Sequence, residues 1–284
     1  MSSQVTAGDH MGRYLAGVWV DGQVQVVDTS ALRPYVDIYV NDVNSHGMVV
    51  GYRLTDTSEF HTDAWVYQAG RARALPALHP GDSTWASAIN SRGHRGDIVG
   101  TNRSPFVYGS QAVLWPADQP GTVRELTVSG DSPDVVDGTD IDDDGTVLGN
   151  VGPWLGEQQY AYVWPARGTG YRLAVPEGTI APFGYAVHAG VVAGTVLRWD
   201  GSMGIFVPTR WNLRTGIAEV VANANFGEVV EVNRQGTIAT TRALIYRSGT
   251  VREPGGEIRV LSDRHTAAGY EGSPLSNAVM WKGC

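Results

Sequence analysis

Apolar residues fall along this chain in short runs, broken at close intervals by Gly, Asn, Asp and Ser. Runs of that length, rich in Val, Ile, Trp and Tyr and bounded by turn-forming residues, predict β-strands rather than helices. The runs obey a larger order. An apolar residue precedes Asn or Asp, a short turn ends in Gly, and a second apolar run also ends in Gly. A variable connection follows, then Ala-x-x-Trp or Ala-x-x-Tyr, a turn and a last apolar run. One copy has Val43-Asn44-Ser45-His46-Gly47, then Val49-Val50-Gly51, then Ala64 and Tyr67. The next has Ile89-Asn90-Ser91-Arg92-Gly93, Ile98-Val99-Gly100, Ala112 and Trp115. A third has Ile141-Asp142-Asp143-Asp144-Gly145, Val147-Leu148-Gly149, Ala161 and Trp164.

With Gly51, Gly100, Gly149, Gly194, Thr240 and Gly269 as equivalent positions, the spacings are 49, 49, 45, 46 and 29 residues, and repeats of roughly 40–50 residues with four strands each are the mark of a β-propeller. The first strand of a repeat ends at the Asn or Asp and the second is the run into Gly. The third carries Ala-x-x-Trp and the fourth follows another turn. Third-strand aromatics recur at Trp19, Tyr67, Trp115, Trp164, Trp211, Tyr246 and Trp281, once more than the other strands. The expected fold is therefore all-β: one propeller domain over residues 1–284, with six blades of four antiparallel strands. The segment Ala16–Asp28 is expected to complete the C-terminal blade, which would remove free sheet edges. Seven blades is the alternative, with Val5-Thr6-Ala7-Gly8 as a further second strand, and residues 1–15 are otherwise a tail. Two repeats deviate. One has His188-Ala189-Gly190 where the Asn turn belongs and Pro208 before Trp211; the next has Thr240 at the Gly position and Tyr246 at the Trp position.

These residues resemble the HAF-repeat family, whose unit is roughly Ile-Asn-x-x-Gly-x-Val-Val-Gly followed by Ala-Phe-x-Trp. Residues 89–100 with 112–115 are most similar to it, and the resemblance covers about residues 16–284. It implies the propeller architecture and brings no catalytic motif. Members of the family are often labelled extracellular.

Composition narrows the function classes. The formal charge is −8 and the basic residues are scattered, whereas nucleic-acid and anionic-membrane surfaces call for clustered Lys and Arg. Lys282 is the only lysine among 21 basic residues, a pattern of GC-rich bacterial genes that also argues against Schiff-base chemistry. Cys284 is the sole cysteine, so neither an intrachain disulfide nor a thiolate zinc site is expected. The first ten residues lack the apolar core of a signal peptide, and no apolar run approaches the roughly 20 residues of a membrane span, so the expected location is cytoplasmic.

Candidate chemistry lies in the connections. The third-strand aromatics are expected to pack neighbouring blades, worth roughly 4–6 kcal/mol each as an upper bound. Asp140-Ile141-Asp142-Asp143-Asp144-Gly145 looks like the start of a calcium loop. The twelfth position, however, is Val151 instead of Glu, so a plain turn is expected. The variable connections between second and third strands are aromatic: Phe60, Phe106 with Tyr108, Trp154 with Tyr160, and Trp199 with Phe206. In a propeller these connections emerge at one end, so the seven side chains are candidate ligand-binding groups around the channel mouth. Three histidines are candidate acid/base groups. His61 is flanked by Glu59 and Asp63, His188 stands where the repeat has Asn, and His265 stands where it has Gly, next to Asp263-Arg264. No phosphate loop, dinucleotide fingerprint, H-E-x-x-H or G-x-S-x-G occurs, so no cofactor and no metal are expected.

The function expected from these features is a cofactor-independent enzyme acting on a largely apolar or aromatic small molecule. Cyclisation, isomerisation, elimination or hydrolysis would fit, in a setting such as bacterial specialised metabolism. The alternative is a non-catalytic propeller that binds a carbohydrate or a protein.

Overall fold

The computed structural model describes all residues except 1–3, 9–13, 21–22, 58–59, 94–95, 106–107, 131–132, 154–158, 200, 222–225, 265, 272–276 and 283–284. The chain divides into two compact halves, Met1–Gly145 and Thr146–Cys284. Apart from a 3-10 turn at Ser30–Leu32, every regular element among the described residues is a β-strand. None of the described helices is long and apolar enough to cross a membrane.

In the N-terminal half, Gln4–Gly8, Tyr14–Val20 and Gln23–Val26 form a three-stranded antiparallel sheet. Two four-stranded antiparallel sheets follow in chain order: Asp37–Val43, Val49–Asp56, His61–Gln68 and Arg71–Ala74, then Ser83–Ile89, Ile98–Arg103, Gln111–Trp115 and Arg124–Glu125. The first strand of the next repeat, Val135–Ile141, ends this half. The C-terminal half starts with that repeat's remaining strands, Val147–Gly152, Tyr160–Trp164 and Tyr171–Arg172. Ile180–His188, Val191–Trp199, Gly204–Asn212 and Ile217–Val220 form the next blade. Val229–Val232, Ile238–Thr240, Leu244–Ile245 and Val251–Arg252 form another, and Glu257–Leu261, Thr266–Glu271 and Asn277–Lys282 the last. The fold class is thus the expected one: an all-β propeller with six blades built on the first–second–third strand order, normally with a fourth strand.

The N-terminal segment behaves differently from the expectation. Ala16–Asp28 does not appear as the strand that completes the last blade, which has three strands among the described residues. Instead Tyr14–Val20 is flanked on both edges, with Val5 opposite Gly17 on one side and Gly17 opposite Val26 on the other. Val5–Gly8 is therefore a strand, the feature on which the seven-blade alternative rested.

The repeated Gly has a steric cause. Gly51 lies opposite Val40, where the first strand bulges before Asp42. A Cβ on Gly51 would stand 1.9 Å from the Tyr39 carbonyl oxygen, and one on Gly100 would stand 2.1 Å from that of Trp85. Both distances are impossible contacts, so at these two positions the bulge demands Gly on the facing strand. Thr240 occupies the same register opposite Val229, and there its hydroxyl donates to the Phe226 carbonyl at 2.7 Å.

The repeated Asn does two jobs. Asn44 Oδ1 accepts from the backbone N–H of His46 and Met48, each at 3.0 Å, and closes its own turn. Its Nδ2 donates to the carbonyl of Asn90, the equivalent residue one repeat on, at 3.1 Å. Asn90 repeats the pattern, accepting from Asp97 N–H at 2.7 Å and donating to the Asp142 carbonyl at 3.1 Å. Asn233 does likewise toward the Ser262 carbonyl at 3.4 Å. The Asp140–Asp144 segment belongs to this system: Asp143 accepts from Ser91 N–H at 2.7 Å and Asp142 is buried. No metal-holding group of His, Cys, Asp or Glu side chains occurs among the described residues.

The third-strand tryptophans fill the core. Trp115, Trp164 and Trp211 are buried. In the N-terminal half Trp115 packs with Met48, Val50, Ile98 and Val113. In the C-terminal half Trp211 packs with Leu148, Val163, Val192 and Val207. Their indole N–H groups are satisfied by carbonyls that follow the preceding repeat's fourth strand, Trp115 to Pro76 at 2.8 Å and Trp211 to Ala174 at 2.7 Å. Each ring therefore packs and pins at once.

Gly51→Ala should lower the unfolding free energy by about 1–3 kcal/mol, since the carbonyl it meets is backbone and has no room to move aside. Equilibrium denaturation measures this, and an unchanged midpoint would refute the steric cause. Asp42 offers a second check. Its carboxyl accepts from the N–H groups of Val43 and Ile89 at 2.7 and 2.8 Å. The residue keeps some surface, but burial of the carboxyl itself pushes its pKa up from 3.8 to about 6, against those two hydrogen bonds. Its stabilising contribution is therefore full below about 3.8 and is lost as pH rises through about 6. The stability of Asp42→Asn relative to the parent should accordingly improve across that interval; a difference independent of pH would contradict the assignment.

Candidate functional site

His61 opens the third strand of its repeat, directly after Phe60. His61 and Asp63 are two residues apart on one strand, so their side chains share a face. Asp63 lies directly opposite Arg53 in the Val49–Asp56 strand. Arg53 holds Asp63 Oδ2 through Nε at 3.0 Å and Nη2 at 2.7 Å. The other carboxylate oxygen, Oδ1, is left toward His61 Nε2, 3.3 Å away. On the far side of the ring, His61 Nδ1 is 3.2 Å from Ser83 Oγ. Ser83 begins the first strand of the following repeat, and the Thr62 N–H also donates to its Oγ at 3.3 Å. The Ala64 N–H bonds Thr84 Oγ1 at 2.9 Å and holds the two strands together beside the site.

Four side chains from three strands thus form one line: Arg53, Asp63, His61, Ser83. In the tautomer that carries its proton on Nε2, facing the carboxylate, the imidazole presents its Nδ1 lone pair to the Ser83 hydroxyl. A neutral imidazole oriented in this way is a general base. His61 and Asp63 were expected on a loop; they lie on a paired strand, which holds their geometry more firmly. Arg53 and Ser83 were not among the sequence candidates. Arg53 was accessible from the hairpin register, being cross-strand to Asp63. Ser83 carries no local motif and comes from another repeat.

Phe60 precedes this strand with φ +52°, in the left-handed region that a bulky side chain rarely adopts, and is 75% exposed. Strain of this kind costs of order 1–3 kcal/mol and persists where surrounding structure imposes it. It sets an apolar ring in solvent beside His61.

His188 lies in the C-terminal half. Its strand turns through Ala189 and Gly190, both at positive φ, a two-residue hairpin that leaves no role for the repeat Asn. The side chain instead reaches Asp263, with Nε2 and Oδ2 3.1 Å apart. Asp263 Oδ1 also accepts from the Arg234 N–H at 2.7 Å, and Arg234 Nε stands 3.6 Å from Oδ2, the oxygen that faces His188. Burial works to raise the Asp263 pKa, but the Arg234 N–H, the His188 contact and the Arg234 charge outweigh it and hold the carboxyl below the usual range. Three turns of successive repeats meet in this cluster.

The remaining sequence candidates separate as follows. Glu59, Phe106, Trp154 and His265 lie outside the described residues. Tyr108, Trp199 and Phe206 are 86%, 61% and 46% exposed, so these rings do not pack into their own blades. Trp199 and Phe206 lie on paired strands because the Val191–Trp199 and Gly204–Asn212 hairpin extends through the expected loop. Tyr160 is half-buried with the Arg172 guanidinium 3.8 Å from its ring centroid. A cleft of about 470 Å³ in the N-terminal half is lined by Tyr108, Ser110, Gln111, Glu125 and Asp134, and by neither His61 nor Ser83.

No protein-family model and no curated protein matches this chain. Solved structures do resemble it. TolB from Acinetobacter baumannii is similar with a TM-score of 0.57 and 13% identity, over 91% of this chain and 65% of that one. An acylaminoacyl peptidase of Pyrococcus horikoshii gives 0.56 and 13%, over 99% of this chain and 49% of the peptidase. A structure from a study of two prolyl endopeptidases gives 0.57 and 11%, over 90% and 42%. This chain spans less than two thirds of each of these proteins. Identities this low extend the likeness to the propeller fold alone.

Phe60→Gly should leave the melting temperature unchanged or raise it, because the strain is relieved and the ring makes little packing contact. A destabilisation above about 1 kcal/mol would show that the ring packs against its own blade.

Proposed function

We propose that the chain is a cofactor-independent enzyme that acts on a largely apolar or aromatic small molecule through proton transfer at His61. The observation that carries this reading is the placement of His61 between Asp63, at 3.3 Å, and Ser83, at 3.2 Å, with Asp63 anchored by Arg53. The carboxylate orients the ring and stabilises the imidazolium that forms when a proton is taken. Phe60 supplies an apolar face on which an aromatic substrate can lie next to the base. Rate enhancement would come from orientation and one or two proton transfers, each step of acid/base catalysis contributing typically about 10²–10⁴-fold.

5-Nitrobenzisoxazole is a suitable probe, being aromatic, apolar and opened by a single base. The base takes the ring C–H proton, the N–O bond breaks and a coloured cyanophenolate is released. The full chain should turn it over, and His61→Ala should lose at least about 100-fold in rate. His46→Ala, a substitution in a distant turn, should not slow it. Equal rates for the parent and His61→Ala would overturn the reading.

A further inference from the structure

We propose that Ser83 is a nucleophile and that the reaction it carries is hydrolysis of a carboxylic ester with an apolar acyl or aryl group. This deepens the reading of His61 as a base and rests on it.

Three observations single out this hydroxyl. First, Ser83 Oγ sits 3.2 Å from His61 Nδ1, the ring nitrogen that does not face Asp63. Second, the Thr62 N–H donates to the same oxygen at 3.3 Å, which favours negative charge on it as the proton leaves. Third, Arg103 is the cross-strand partner of Ser83, so its side chain stands on the same face of the sheet. Nucleophile, base and orienting carboxylate are then Ser83, His61 and Asp63, and Arg53 is a positioning residue that fixes which carboxylate oxygen His61 meets. Arrangements of this kind are identified by geometry and role rather than by order in the chain.

The chemistry closes without any further reactant except water. Ser83 Oγ forms a bond to the ester carbonyl carbon while His61 Nδ1 takes the hydroxyl proton. The carbonyl π electrons move to oxygen. Collapse of this intermediate breaks the bond to the leaving oxygen, which takes the proton from Nδ1 and departs as the alcohol or phenol. Water then adds to acyl-Ser83 with Nδ1 as base; the acid leaves and the Ser83 hydroxyl is restored.

The test treats the full chain with an alkyl fluorophosphonate and, separately, with p-nitrophenyl butyrate, and maps adducts by peptide mass spectrometry. Opening of 5-nitrobenzisoxazole is followed on the same preparation. The expected result is a single phosphonyl adduct on Ser83, absent in Ser83→Ala and formed at least about 100-fold more slowly in His61→Ala, together with nitrophenolate release that the adduct blocks. Labelling of the parent protein decides the matter even if a variant fails to fold. No adduct, or one on another residue, overturns the nucleophile. If benzisoxazole opening still depends on His61 in that case, the base stands and only Ser83 falls; if that opening is absent too, both fall.

Discussion

The constraint on which this structure depends is a backbone contact. In four of the blades the first strand bulges and pushes a carbonyl oxygen into the place where the facing residue would carry its Cβ. Only Gly fits there, and Gly51, Gly100, Gly194 and Gly269 occupy that place in their own repeats, while a further blade carries Thr240 opposite its bulge. The contact pins hairpin register. Because side chains alternate with a period of two, register decides which residues share a face. Arg53 meets Asp63, and Asp63 shares its face with His61, for that reason.

The second ordering device is the buried Asn. It spends its oxygen on its own turn and its amide on the next repeat's carbonyl, so each turn is tied to its successor. Where His188 stands in its place, the turn shortens to two residues at positive φ and the freed side chain finds Asp263 instead. Chemistry-bearing groups thus sit beside departures from the repeat: a strained Phe60 next to His61, and a His in an Asn position. Structural positions that must stay constant leave little room for such groups, while departures release side chains from packing duty.

Much of the fold was legible in the sequence because its determinants are local and recur. The Asn-x-x-Gly turns, the Gly after each second strand and the third-strand Trp each stand at one register. The core burial expected of Trp115, Trp164 and Trp211 is what the structure contains. The N-terminal segment was harder, since strand propensity alone does not say which edge a strand will pair with, and Gln4–Gly8 occupied one. The site was half legible. His61 and Asp63 are neighbours in sequence, so their pairing could be anticipated. Ser83 and Asp263 are brought in by packing between repeats, from 22 and 75 residues away, and no local spacing announces them. Only the outer end of the Val191–Trp199 and Gly204–Asn212 hairpin, around Trp199 and Phe206, was read as a loop, because it lacks the repeat pattern.

A double-mutant cycle between Arg53 and Asp63, read by equilibrium denaturation of Arg53→Met, Asp63→Asn and the pair, probes the register most directly. Side chains that face each other as described should couple by roughly 0.5–3 kcal/mol. Purely additive effects would mean that the two do not share a face, and with them the line that reaches His61 and Ser83 would be lost.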